Sequence, residues 1–278
     1  MVSLIHYLVV QRFIPAEFGV DPEKVHFPDP AGNFYIRKAH NRHVIKKEGI
    51  PHTFVSCNYF AGFLLPQLAQ PDLKAPPRDN IMIFGDGNRK AVFVKEEDVA
   101  TFTIKAVDDP RTLNKVMYMR PPGNMYSLNE LVELWEKKVG KSLEKFYIPE
   151  EQVLQSIQAA ENPFPNNLFM LFVYSTFVRG DHTNFEIIPS DVESTQLYPD
   201  VKYTTIDEYL DGLLYVFILK LFSFICIHMN IKTATLINFV TIILGCLVLL
   251  CCVSKNIWVL FSLLSAFRIL DYVKGRII

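Results

Sequence analysis

The residues of this chain best suited to chemistry are a cationic run on one predicted helix, Arg37-Lys38-Ala39-His40-Asn41-Arg42, and the run Ser56-Cys57-Asn58-Tyr59-Phe60 that closes the next predicted strand. Lys38 and Arg42 stand four apart and share a helix face. A lysine there serves as a general base only if burial or a neighbouring cation lowers its pKa toward neutrality, and a cation one turn away is one such device. Taken alone, Lys and Arg on a polar helix also describe a solvated face, and Tyr59 and Phe60 fit core packing as well as a binding role. His40 and His43 stand three apart, but no carboxylate or third ligand has helical spacing to join them, so no metal site is expected. The run Lys95-Glu96-Glu97-Asp98 opens a predicted helix, whose dipole favours negative charge at that end, so capping accounts for it.

The elements that must position these residues alternate between helix and strand. Asn33 to Lys47 carries helical periodicity and stops at Gly49 with Pro51 beyond, and His52 to Phe60 is rich in β-branched and aromatic residues, as a strand requires. After a loop with Pro71, Pro76 and Pro77, the segments IMIF and AVFV flank Gly85-Asp86-Gly87-Asn88 and predict a β-hairpin. Glu96 to Val107 predicts an amphipathic helix and Val116 to Arg120 a strand. Ser127 to Lys138 predicts a helix with a Ser127/Glu130 capping box and a stop at Gly140. A further helix starts at Pro149-Glu150-Glu151, and Thr205 with Glu208 caps another from Ile206 to about Leu214. Alternation of this kind predicts α/β architecture.

Composition sets outer bounds. At 278 residues and 50% hydrophobic content the chain can bury a sizeable core. A net charge of -1 and a pI near 6.7 give no basic face for nucleic acid. Nearly all charged residues precede about Leu213; beyond it the chain is dominated by Leu, Ile, Val, Phe and Cys. Cys57 stands alone in the polar part, while Cys226, Cys246, Cys251 and Cys252 lie in the apolar tail, so neither a disulfide framework nor a zinc site is expected. Met1 to Val10 lacks the basic start and cleavage site of a signal peptide. Ala234 to Val253 is uncharged and close to bilayer-spanning length, which makes it a candidate transmembrane segment. Its flanking charges, Lys232 and Lys255, fix no orientation.

Longer runs carry a resemblance. RFIPAEFGVDP, FYIRKAHNRHVI, EGIPHTFVSCNYFAGFLLP and IFGDGNRKAVFVKEEDVATFTIKAVDDPRTLNK are similar to successive blocks of the isoflavone reductase-like family. LWEKKVGKSLEKFYIPEEQVL, FVRGDHTNFEI and LYPDVKYTTIDEYL resemble that family's C-terminal substrate domain, so the similarity runs over about residues 11 to 214. The family is a group of plant atypical short-chain dehydrogenases that includes phenylcoumaran benzylic ether, pinoresinol-lariciresinol and eugenol-forming enzymes. The resemblance implies an α/β fold: a partial Rossmann domain for NADPH over 1–75, a smaller α+β substrate domain over 76–214 with segments returning to the Rossmann sheet, and a helical apolar tail over 215–278.

It also implies roles. Lys38 would be the catalytic base, taking the proton of a phenol so that the benzylic oxygen leaves and a quinone methide accepts hydride, and would touch the nicotinamide ribose. Arg42, Asn58, Tyr59 and Phe60 would lie on the cofactor side, where open α/β sheets bind ligands at strand C-terminal ends. Tyr174 in FVYSTFVRGD occupies the place where many of these reductases carry a histidine, which makes it a substrate-binding residue that cannot donate a proton near pH 7 without a large pKa shift. The glycine-rich loop that holds the pyrophosphate in the family has no counterpart before Lys38, where the only glycines are Gly19 and Gly32; this predicts weakened cofactor affinity and a sheet without its first strands. The implied partner is a small phenolic substrate. The resemblance implies a cytoplasmic location for residues 1–214, with a homodimer or association with full-length relatives as the expected assembly and membrane association if the tail inserts. The alternatives are a membrane-tethered, non-catalytic remnant and an NmrA-like regulator that senses dinucleotide without turnover.

Overall fold

The computed structural model describes residues 11–25, 32–71, 73–158 and 168–214. The chain divides after Leu214 into two compact units. The described residues all belong to the first unit, and the candidate transmembrane run at 234–253 lies outside them. Among the described residues no helix is long and apolar enough to cross a membrane.

The polar helix α1 (Gly32–Lys47) ends at Gly49, whose φ of 63° suits a residue without a side chain. It leads into β1 (Thr53–Ser56), β2 (Tyr59–Phe60) and the single turn α2 (Ala61–Leu64). The single strand expected over 52–60 is broken at Asn58, which takes the left-handed conformation at φ 57°, one that asparagine tolerates better than most residues. β3 (Asn80–Phe84), β4 (Lys90–Val94), α3 (Glu96–Val107) and β5 (Lys115–Tyr118) follow, then β6 (Met125–Ser127), α4 (Leu128–Val139) and β7 (Glu144–Ile148). The described part closes with α5 (Glu150–Gln158), α6 (Leu168–Val173), a π-helical turn over Tyr174–Arg179, β8 (Val192–Glu193) and a helix over residues 206–214.

β1, β5 and β8 form a parallel sheet in the order β1-β5-β8, and Phe13 adds a parallel bridge to His52 on the far side of β1. Period-two alternation gives the sheet two apolar faces. Phe54, Val116 and Tyr118 meet Ile45 and Ile50 on one side, while Val55 and Met117 meet Val99, Phe102 and Ala106 of α3 on the other. Helices on both faces of a parallel sheet are the α/β arrangement that the alternating elements predict.

The expected hairpin does not form. β3 pairs in parallel with β7, and β4 pairs with β2 in parallel and β6 in antiparallel. The cause lies in AVFV, which is buried on both faces: Ala91 and Phe93 enter the largest core with Leu131, Trp135 and Phe177, while Val92 and Val94 enter the core under α3. A strand buried on both faces needs a neighbour on each edge, and two-residue alternation, the mark of a half-solvated hairpin, is absent from it. The Gly85–Asn88 loop is instead tied to the start of α4, where Asn129 donates to the Asp86 carbonyl (3.0 Å) and its amide to that of Gly87 (3.1 Å).

Candidate functional site

The loop over residues 17–21 gathers most of the expected site residues. Its Glu17 carbonyl accepts a hydrogen bond from Lys38 Nζ at 3.1 Å. Its Gly19 carbonyl accepts from the Asn58 amide at 3.0 Å and the Ser56 hydroxyl at 3.4 Å. One turn along α1, Arg42 is fully buried and donates through Nε to Glu17 Oε2 (2.6 Å) and through Nη1 to Asp21 Oδ1 (2.7 Å). Asp21 also accepts the Tyr118 hydroxyl and the Glu23 amide. The loop therefore crosses the C-terminal ends of β1 and β5 and is fastened from α1 and from both strands.

Lys38 is half-buried, and its ammonium lies 5.6 Å above the Tyr35 ring. Burial pulls its pKa below the ordinary lysine value; Glu17 and Cys57 pull it back up, and Arg42 pushes it further down. The cation one turn away thus acts as the spacing suggests, as a smaller influence than burial. Burial raises the Cys57 thiol to about 12, so that it stays protonated at neutral pH.

The other expected residues sit as follows. Arg42 is enclosed behind the loop, with its hydrogen bonds spent on Glu17 and Asp21. Asn58 is buried, with Nδ2 donating to the Met119 carbonyl at 2.9 Å. Tyr59 is buried, and its hydroxyl donates to the Phe172 carbonyl (2.7 Å) and accepts from Thr176 Oγ1 (2.6 Å). Phe60 is 36% exposed at the strand end, and Phe63 on the following turn is exposed as well. Tyr174 is buried at the start of the π-helical turn and donates to Glu150 Oε1 at 2.9 Å; burial first, then that carboxylate, raises its pKa. It shares the turn with Thr176, but its hydroxyl faces α5.

Several residues of the cluster have no local signal in the sequence. Glu17 and Asp21 meet Arg42 from 25 and 21 positions away, spacings to which no helix or strand period applies. His182 is buried within the FVRGDHTNFEI block, with its Nδ1 accepting the Val92 amide at 3.1 Å and its Nε2 3.3 Å from Thr176 Oγ1. An amide can only donate, so Nδ1 holds the lone pair, Nε2 the proton, and the bonds run from His182 through Thr176 and Tyr59 to Phe172. A cavity of about 240 Å³ opens elsewhere, over the Phe54 and Tyr118 face of the sheet; Lys46, His52 and Asp191 line it, while Lys38, Asn58 and Phe60 do not. Among the described residues no group of three His, Cys, Asp or Glu side chains could hold a metal.

Parallel strands covered by helices on both faces define a Rossmann-like α/β protein. The chain belongs to the NmrA-like family, whose sequence model matches residues 1–210. It is 61% identical over 202 residues to a phenylcoumaran benzylic ether reductase from Ginkgo biloba, a match covering 73% of this chain and 65% of the relative. A crystal structure of isoflavone reductase superposes with a TM-score of 0.70 at 47% identity, covering 73% of this chain and 66% of that one. The NADPH complex of leucoanthocyanidin reductase from Vitis vinifera gives 0.68 at 36% identity, covering 77% and 70%. The chain thus spans about 65% of the length of the curated relative.

Proposed function

We propose that this chain is an NADPH-dependent reductase of small phenolic, phenylpropanoid-type molecules with Lys38 as its general base. The observation that carries the reading is Lys38 itself, half-buried beside the strand ends, aligned by the Glu17 carbonyl and lowered in pKa by burial. The names of the relatives supply the substrate class, and the leucoanthocyanidin reductase complex supplies the cofactor by analogy.

NADPH, when bound, supplies hydride. Lys38 and Phe60 are the residues that would hold its nicotinamide side: one is a half-buried cation suited to hydroxyls, the other an exposed apolar surface for a planar ring. Arg42, Asn58 and Tyr59 hold the shape of the site from behind, through the hydrogen bonds they make to the loop, to Met119 and to Phe172. The neutral Lys38 amine receives the phenolic proton at Nζ. Tyr174 with Glu150 borders the substrate side. The division into a cofactor part over 1–75 and a mainly substrate-facing part over 76–214 belongs to the same proposal. The described residues account for the nicotinamide side alone; among them no glycine-rich turn joins a strand to a helix.

Calorimetric titration of the full chain with NADPH tests the reading. Micromolar binding that weakens in Lys38→Ala supports it, and folded protein that shows no binding up to millimolar NADPH removes it.

A further inference from the structure

The ion cluster behind Lys38 is unbalanced. Glu17, Asp21 and Arg42 are 5%, 1% and 0% exposed, so two carboxylates share one guanidinium away from water. Glu23 approaches Arg42 at 3.6 Å, but its side chain is 39% exposed and also meets Lys46. With both carboxylates ionised the buried trio carries one excess negative charge, which is strongly unfavourable away from water, and burial accordingly raises the Glu17 pKa against the pull of Arg42. Among the described residues, groups that face Lys38 include Glu17 from the loop, Cys57 from the junction of β1 and β2, and Tyr35 and Arg42 from its own helix. Cys57 is neutral and Arg42 is shared between the two carboxylates, and the Lys38 ammonium on the Glu17 carbonyl is a further cation beside them.

We propose that Glu17, fixed by Arg42 and backed by Asp21, is a positioning residue for Lys38: its carbonyl sets where the amine sits, and its carboxylate sets how firmly the amine keeps its proton. The inference rests on the reading of Lys38 as the base and adds what tunes it. Burial favours the neutral amine that a general base needs. The buried carboxylate opposes that, and Arg42 limits the opposition by sharing the charge. Because the same residue supplies the carbonyl and the carboxylate, geometry and proton affinity are set together.

Competitive acylation of the full chain over a pH series, read by mass spectrometry of the Lys38 peptide, reports the Lys38 midpoint with neither cofactor nor turnover. Lys141, paired with Asp79 on the surface, serves as the internal reference. Glu17→Gln keeps a group that can accept from Arg42 but removes the charge, and it is expected to lower the Lys38 midpoint by about one pH unit while Lys141 stays put. Asp21→Asn removes a charge from the same trio and is expected to shift Lys38 in the same direction by less. It decides the matter if Glu17→Gln fails to fold. A purely structural cluster would leave the midpoint of every folded variant at the wild-type value, and that result overturns the proposal. Failure of NADPH binding in the calorimetric titration would remove the reductase reading without moving these midpoints, so the two are separable.

Discussion

His182 shows how one backbone group can dictate a chain of side-chain states. The Val92 amide forces the lone pair onto Nδ1, and burial, with a contribution from Arg120, lowers the ring's pKa to about 3. The folded protein therefore keeps this histidine neutral where the unfolded chain, with an ordinary value near 6.5, takes up a proton. Above about pH 6.5 the group contributes no pH dependence; below it the unfolded state binds the extra proton, and stability falls by about 1.4 kcal/mol per pH unit down toward pH 3. Urea unfolding midpoints from pH 7 to pH 4 should show this fall, and His182→Gln should flatten it; an equally steep fall in the variant would assign it to other groups. Tyr59→Phe strips Thr176 of its acceptor and the Phe172 carbonyl of its donor, and should destabilise by about 1–3 kcal/mol in the same assay.

The capped helices are the elements that local sequence describes best, because both ends of the argument lie within a few residues. In α4 the Ser127 hydroxyl accepts the Glu130 amide and the Glu130 carboxylate accepts the Ser127 amide, while Gly140 closes the helix at φ 68°. Ser127→Ala should lower thermal stability by about 1 kcal/mol, whereas loss of less than a few tenths would show the cap to be replaced by water. Gly87 is constrained by space as well as by its φ of 72°, since a Cβ there would lie 2.5 Å from Ile83 Cγ2. Strand pairing is the part that local sequence describes poorly. Two apolar runs around a glycine-rich turn read as a hairpin, yet β3 and β4 take partners far along the chain. The same limit hid the acidic loop: Lys38 and Arg42 are legible as one helix face, but Glu17 and Asp21 reach them through the fold. Asn58, Tyr59 and Phe60 are legible as a strand end, whereas the inward turn that spends the Tyr59 hydroxyl on Thr176 and Phe172 depends on a π-helical turn without a sequence signature.

β4 contributes Val92 and Val94 to one core and Ala91 and Phe93 to another, so the residues up to Leu214 should unfold together. Phe93→Ala should lower that one transition by about 3–5 kcal/mol, and Val92→Ala should lower the same transition by less; two separate transitions in circular dichroism would contradict the coupling. Family membership rests on residues 1–210, and the chain spans about 65% of the length of the Ginkgo relative, so its chemistry must be measured on the chain itself. The most direct measurement follows NADPH consumption and reduced product when the full chain meets a phenolic benzylic ether, alongside Lys38→Ala. The predicted result is matched loss of NADPH and gain of reduced product in the wild type, falling by about a hundredfold or more in the variant. No product from folded wild-type protein, or equal rates in both, would contradict a reductase that works through Lys38.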